Sequence, residues 1–239
     1  MLCLDAAVHE RLRHQPRTAP DAASRVHRVA QRLTVVEHPV LADRLAVLRD
    51  AKTPYGGFRS ALAEASAILA IEATRDLPVR DGEVRTPLEA APARRLAGEV
   101  ALVPVLRAGL GMVDGFLRLL PDARVGHLGM QRDEEALTPV GYYERLPPGL
   151  AEAQVFVLDP MLATGGSAVH ALDRVTAAGA RSVRLICLVA APEGLAAVEA
   201  AHRGVPIWTA AVDRQLDEHG YIRPGLGDAG DRVFGTLPE

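Results

Sequence analysis

The sequence predicts an α/β fold built on a mostly parallel sheet with helices on both faces, and two observations carry this. Residues 100–106, 155–158 and 183–189 are short, largely aliphatic runs without the alternation of a half-exposed strand. Each is followed by a Gly-containing loop and then a helix-length stretch, the rhythm of strand–helix–strand units. Taken in order, residues 58–74 come first. Their three-and-four spacing sets Leu62, Ala65, Ile68, Leu69 and Glu72 near one helix face. Residues 78–85 read as a hairpin turning at Asp81-Gly82. The aliphatic runs follow, with loops at residues 107–111, 159–167 and 190–194. In parallel sheets ligands sit beyond the carboxyl ends of the strands, where these loops lie.

The chain has 239 residues, a length that suits one α/β domain. Residues 1–32 carry six arginines and three acids with neither apolar periodicity nor a signal-peptide core, and are expected to be a flexible N-terminal extension. The domain proper is placed at residues 33–239. No apolar run reaches membrane-spanning length, so a soluble protein is expected, with no membrane partner. A net charge of −3 speaks against nucleic acid as a partner. Cys3 and Cys187 lack metal-ligand spacing and are too few for a disulfide framework, which fits a reducing, cytoplasmic setting. Lys52 is the only lysine and sits in Ala51-Lys52-Thr53, so no Walker phosphate loop is present. Anions must be gripped by arginine forks and backbone amides instead.

The loop after the second run is the most informative: Asp159, Pro160, Met161, Leu162, Ala163, Thr164, Gly165, Gly166, Ser167. A buried strand ends in an acid, turns, and reaches Thr-Gly-Gly-Ser at the start of a helix running to about Ala178. Free amides and the helix dipole there favour a terminal phosphate, with Thr164 and Ser167 adding hydroxyls. Asp159 is placed for hydroxyls or a metal on the same ligand. The plainer alternative is a tight turn with Ser167 as N-cap. Ser167, His170 and Asp173 mimic a hydrolase triad, but three residues along one helix rarely converge, and no nucleophile elbow surrounds the serine.

The loop after the first run, Arg107-Ala108-Gly109-Leu110-Gly111, falls short of the dinucleotide fingerprint because Asp114 stands at the third glycine position. An arginine before the glycines suits a polyphosphate held by direct charge. Residues 129–135 read as a polar loop leading into a short extended arm at residues 140–146. The segment from Gly220 to Asp231 holds four glycines and a proline, too many for a regular element, and can offer backbone donors and acceptors to a flat heterocycle. Tyr221, Ile222, Leu226, Val233 and Phe234 need burial, so the segment is expected to be ordered.

Together VPVLRAGLGM, GMQRDEEAL, VLDPMLATGGS, LVAAPEG and EHGYIRPGLGDAGDRVFGT resemble the uracil phosphoribosyltransferase family, in that order and spacing, across residues 33–236. The resemblance implies a type I phosphoribosyltransferase fold, with a small hood and a β-arm over the parallel core. It implies conversion of uracil and 5-phosphoribosyl 1-pyrophosphate (PRPP) to UMP and pyrophosphate in pyrimidine salvage. Mg²⁺ is the implied cofactor, held mainly by PRPP and water. Residues 159–167 become the PRPP loop, with Ala163, Thr164, Gly165, Gly166 and Ser167 on the 5′-phosphate and Asp159 on the ribose hydroxyls. Arg107 and Arg132 are implied for the pyrophosphate. Ile222, Gly227, Asp228 and Ala229 are implied for uracil, with Asp228 also facing PRPP or its Mg²⁺. Homodimers or homotetramers are implied, and GTP activates some members.

Departures from the family pattern are Asp217 where asparagine is common, Arg223 where an aliphatic or less charged residue is common, and Gln131 where tyrosine is frequent. Pro160 replaces the second acid of the usual acidic pair, which argues against a purine-type member. A regulator on the same fold that senses nucleotides and binds RNA would want a basic face that the net charge does not offer. A dinucleotide-binding oxidoreductase would leave residues 164–167 without a role.

Overall fold

The computed structural model describes residues 27–28, 33–132 and 139–236, with only the backbone described for residues 27–28, 131–132 and 139–140. The remaining residues of the expected extension, the tip of the expected arm, and the side chains of Gln131 and Arg132 lie outside the described residues. The first half of the chain forms β1 (His27–Arg28), β2 (Leu33–Val35), α1 (Pro39–Arg49), α2 (Tyr55–Ala73), β3 (Val79–Arg85), β4 (Ala90–Leu96), β5 (Glu99–Leu106) and α3 (Leu110–Leu117). Then follow β6 (Arg124–Val125), β7 (His127–Arg132), β8 (Pro139–Arg145), β9 (Ala153–Leu158), β10 (Met161–Leu162), α4 (Gly166–Ala177), β11 (Ser182–Ile186) and β12 (Val189–Ala190). The last elements are α5 (Pro192–Ala201), β13 (Ile207–Thr209), β14 (Ala211–Val212), β15 (Gln215–Leu216), β16 (Ile222–Arg223) and α6 (Ala229–Phe234).

The main sheet runs β1-β2-β13-β11-β9-β5-β7-β8, with β6 also on β5. Every pairing from β2 through β7 is parallel, and the two edge strands β1 and β8 are antiparallel. β1 thus draws two residues of the expected extension onto the sheet edge. Both faces are covered, which is why the central strands are mostly apolar, with polar residues such as Glu99, Gln154 and Ser182 near their starts. On β9, Phe156 and Leu158 enter the core formed with α1, α2 and α3, while Val155 and Val157 enter the core formed with α4 and α5. Phe156 is fully buried and meets the Phe116 ring at 5.6 Å. Truncating such a ring to alanine costs about 3–5 kcal/mol.

Three neighbouring strands bend together at their carboxyl ends. The chain leaves β9, β11 and β13 and, after one or two residues, re-pairs as β10-β12-β14, a second parallel sheet. The expected single strand over residues 183–189 is therefore two, broken at Cys187-Leu188. The bend is secured by backbone bonds: Leu188 N and Val189 N both donate to Pro160 O, and Ala210 N and Ala211 N to Leu188 O. Nothing in the aliphatic run marks the break, because the residues on both sides of it are buried.

Two further expectations are corrected. Asp81-Gly82 is not a turn but mid-strand, opposite Arg94 and Ala93 in a seven-rung hairpin of β3 and β4. The turn lies at residues 86–89, where Thr86 Oγ1 accepts from Leu88 N and Glu89 N. Turning at Asp81 would leave only short strands on either side, whereas turning at Thr86 pairs seven residues. Residues 129–132 are not loop but part of β7, paired with β8 through a bulge at Gly129/Met130.

Candidate active site

The bend at the end of β9 sets Asp159 and Pro160 at the rim of the main sheet. Asp159 N donates to Ile186 O at 3.1 Å, and Asp159 Oδ1 accepts from Met161 N at 3.3 Å. The carboxyl opens only partly to the surface. Burial pushes it up to about 7, with the Met161 amide opposing. The Cys187 thiol beside it is buried and pushed up to about 12, so it offers no thiolate.

After β10 the chain enters α4 through Gly165, whose φ of +85° is left-handed. A Cβ there would lie 2.7 Å from Ala197 Cβ on α5, so both backbone conformation and close helix approach demand glycine. Gly165, not Ser167, is the cap, and no side chain caps the helix. No side chain occupies the first-turn amides, whose position and dipole suit an anion. The mimic triad does not assemble. Asp173 Oδ1 lies 2.9 Å from His202 Nε2, and His170 faces the β7–β8 arm at Gly141.

At the end of β5 the Leu106–Arg107 peptide is cis, and Gly109 N donates back to Val105 O at 2.9 Å. A Cβ on Gly109 would lie 2.3 Å from Leu158 O, so this turn packs directly on the end of β9. Gly111 and Gly115 have no phosphate role: they let α3 approach α2, where a Cβ would lie 2.4 Å from Leu62 Cδ2 and Ala63 O respectively. This packing accounts for the near-match to a dinucleotide fingerprint. Arg107 projects outward, Nη2 donating to Asp231 Oδ1 at 3.0 Å and Nη1 to Thr236 Oγ1 at 3.1 Å.

A cavity of about 580 Å³ joins these loops. Arg107, Asp159, Met161, Ser167 and Asp228 all line it, together with Met130 and Tyr142 from the arm. Other predicted residues are placed differently. Pro160, Leu162, Ile222 and Ala229 are buried, so of Ile222 and Ala229 only the backbone can face a ligand. Ala163 packs on the apolar core. Thr164 and Gly166 line a neighbouring groove between α4 and α5. Gly227 is exposed, with φ +76°. Arg132 ends β7, and its side chain lies outside the described residues.

The glycine-rich segment is ordered, as expected, but not irregular throughout. Asp228 caps α6 by accepting from Asp231 N at 2.9 Å. Ile222, Leu226 and Val233 are buried; Tyr221 and Phe234, expected to be, are exposed. Two of the family departures answer each other. Arg223 Nε donates to Asp217 Oδ2 at 2.7 Å, while Asp217 Oδ1 accepts from His219 N and Tyr221 N. The Tyr221 amide first, then Arg223, holds the Asp217 carboxyl below the usual carboxylate range. Sequence reasoning missed Asp231 and Thr236, whose only signal was their place in the quoted motif, and missed Arg49 and Asp213, which carry none.

The sequence pattern of the family described as uracil phosphoribosyltransferase matches residues 35–236. Uracil phosphoribosyltransferase of Salinibacter ruber is 53% identical over 206 residues, 86% of this chain and 98% of that protein. The same-named protein of Symbiobacterium thermophilum is 53% identical over 206 residues, 86% of this chain and 99% of that one. Among solved structures, AQ2163 protein from Aquifex aeolicus superposes with a TM-score of 0.82 at 37% identity, covering 87% of this chain and all of that one. Adenine phosphoribosyl transferase from Trypanosoma brucei superposes at 0.53 with 12% identity, covering 82% and 90%, a likeness of fold alone. With the pattern spanning residues 35–236 and the relatives matched over nearly their full length, the chain belongs to the uracil phosphoribosyltransferase family.

Proposed function

We propose that this chain transfers the phosphoribosyl group of PRPP to uracil, giving UMP and pyrophosphate. The observation that carries the reading is the single cavity in which Arg107, Asp159, Ser167 and Asp228 meet at the carboxyl ends of β5 and β9. Four segments up to 121 positions apart in the chain converge there on one anion-rich ligand. The uncapped first turn of α4 receives the 5′-phosphate, Asp159 accepts from the ribose hydroxyls, and Arg107 with Arg132 takes the pyrophosphate.

In the reaction the C1′–oxygen bond to pyrophosphate breaks, the uracil N1–C1′ bond forms, and the N1 proton is lost. The sugar passes through an oxocarbenium-like state, as in glycoside chemistry. The residues present therefore neutralise and orient rather than attack. Arg107 offsets charge growing on the leaving group, and Asp159 fixes the ring. The arm residues Met130 and Tyr142 line the cavity, and closure of the arm over bound substrate would exclude water that would trap the cation.

Mg²⁺ fits the residues present in one way. Among the described residues no cluster of three His, Cys, Asp or Glu side chains could hold a metal. Asp159 and Asp228 each give one oxygen to a backbone amide, a sparse donor set that suits an ion keeping its water and substrate-phosphate ligands. Asp159 and Asp228 would hold it, and it would supply charge neutralisation to the pyrophosphate.

The base is read by backbone. Uracil presents acceptor, donor, acceptor along O2, N3–H and O4, and cytosine reverses the last two. A rigid loop matched to uracil then leaves buried groups unpaired against cytosine. Release of pyrophosphate from PRPP with uracil, cytosine and purine bases tests the reading. Turnover with uracil alone is expected, and comparable turnover of cytosine would overturn it.

A further inference from the structure

The loop that carries Gly227, Asp228 and Ala229 is pinned from outside the site. Asp213, just past β14 and 8% exposed, accepts from Gly225 N at 2.9 Å. The same carboxylate takes both arms of Arg49, Nη1 at 2.9 Å and Nη2 at 2.6 Å. Arg49, the last residue of α1, turns Nη1 onto Gly225 O at 2.8 Å. One ion pair thus holds both the donor and the acceptor of a single peptide-forming residue. Gly225 is left-handed, φ +65°, and a Cβ there would lie 2.1 Å from Ile222 O. On the other side Arg232, stacked on the Phe58 ring, donates to Leu226 O at 2.9 Å and Asp50 O at 2.6 Å, and also to Leu48 O.

We propose that the Arg49–Asp213 pair positions the base-reading backbone and thereby sets selectivity for uracil over cytosine. The inference rests on the reading of residues 227–229 as the uracil loop. Neither side chain lines the cavity, so neither touches substrate. They act through Gly225. An apolar pair could pack the same space, but it could not hold an amide and a carbonyl at once. Discrimination of two isosteric bases needs those downstream donors and acceptors fixed, because a loop free to rotate a peptide would pair with either edge. Leaving a charged member of the pair unmatched also loosens the loop.

The test compares Asp213→Asn and Arg49→Lys with the wild type. It measures KM for uracil, the ratio of kcat/KM for uracil over cytosine, the Kd for PRPP by calorimetry, and the melting temperature. Asp213→Asn is expected to raise the uracil KM about tenfold and to lower the base ratio by a similar factor, the loss typical of a charge-assisted hydrogen bond. The PRPP Kd is expected to change less than the uracil KM, since Arg107, Asp159 and the α4 amides lie outside this loop and Asp228 is the one proposed PRPP contact it carries. Arg49→Lys keeps the charge but not the fork, and an intermediate ratio is expected. It carries the test by itself if Asp213→Asn melts below the assay temperature. Wild-type uracil KM and base ratio in a folded, PRPP-binding variant would overturn the inference. A wild-type protein that binds PRPP but does not use uracil would remove the functional reading instead, and this inference with it.

Discussion

Arg107 Nη2 lies 3.0 Å from Asp231 Oδ1, and that same oxygen accepts the Thr236 hydroxyl at 2.6 Å. Thr236 in turn accepts from Arg107 Nη1 at 3.1 Å, closing a triangle at the cavity edge. The bond from Thr236 first, then the one from Arg107, holds the Asp231 carboxyl below the usual carboxylate range. It is therefore charged wherever the enzyme works. Asp231 steadies Arg107 without lining the cavity itself.

Arg107→Ala removes a charge aimed at the leaving pyrophosphate, and kcat is expected to fall about 10²–10³-fold. Asp231→Asn keeps the side-chain shape but frees the guanidinium. It is expected to raise the pyrophosphate inhibition constant several-fold while the uracil KM stays unchanged. Product-inhibition kinetics separate the two effects.

The Asp159 carboxyl, pushed up to about 7 by burial, is expected to appear in the pH profile. It must be ionised to accept from two ribose hydroxyls. Thus kcat/KM for PRPP should rise with pH through about 7, since that parameter reports the free enzyme. Asp159→Asn should abolish this acid limb along with most activity. The sign for stability is the reverse. Folding favours the neutral acid, so this group's contribution is fully present below the ordinary aspartate value of 3.8 and is lost as pH rises through about 7. Asp159→Asn should therefore raise the melting temperature more at pH 8 than at pH 5.

Gly165→Ala should damage the phosphate cradle. The left-handed backbone costs about 1 kcal/mol for alanine, and the clash with Ala197 Cβ adds to it. PRPP affinity is expected to fall at least about tenfold, if one charge-assisted contact is lost. Gly179→Ala is the control, because it too has a positive φ but meets nothing within 4 Å. It should lower the melting temperature yet leave PRPP binding intact in calorimetry.

Asp217 and Arg223 should couple. Arg223→Ile alone strips Asp217 of its cation, and Asp217→Asn alone strips Arg223 of its anion. The double change is expected to melt closer to the wild type than the sum of the single losses would give. Equal, additive losses in a thermal double-mutant cycle would separate the two positions.

Strands β5 and β9 were legible because burial on both faces writes a mostly apolar run, and the turn into α4 because Thr-Gly-Gly-Ser stands beyond the end of β9 with five residues between. The bend at Cys187-Leu188 was not, since it depends on bonds from Leu188 N to Pro160 O and from Ala210 N to Leu188 O that periodicity does not encode. Asp81-Gly82 has turn chemistry, but cross-strand pairing over seven rungs outweighed it. Arg107, Asp159, Ser167 and Asp228, drawn from separate motifs, line one cavity. Arg49 and Asp213 stand 164 positions apart, joined only once the chain is folded.

Diffraction from crystals soaked with PRPP and Mg²⁺ would show where the sugar phosphate binds. The 5′-phosphate is expected against the amides of residues 164–167, with the ribose on Asp159 and the pyrophosphate on Arg107. Density for the sugar phosphate in the cleft between the β7–β8 arm and α4, lined by His170 and Arg174, with the α4 amides bare, would contradict it.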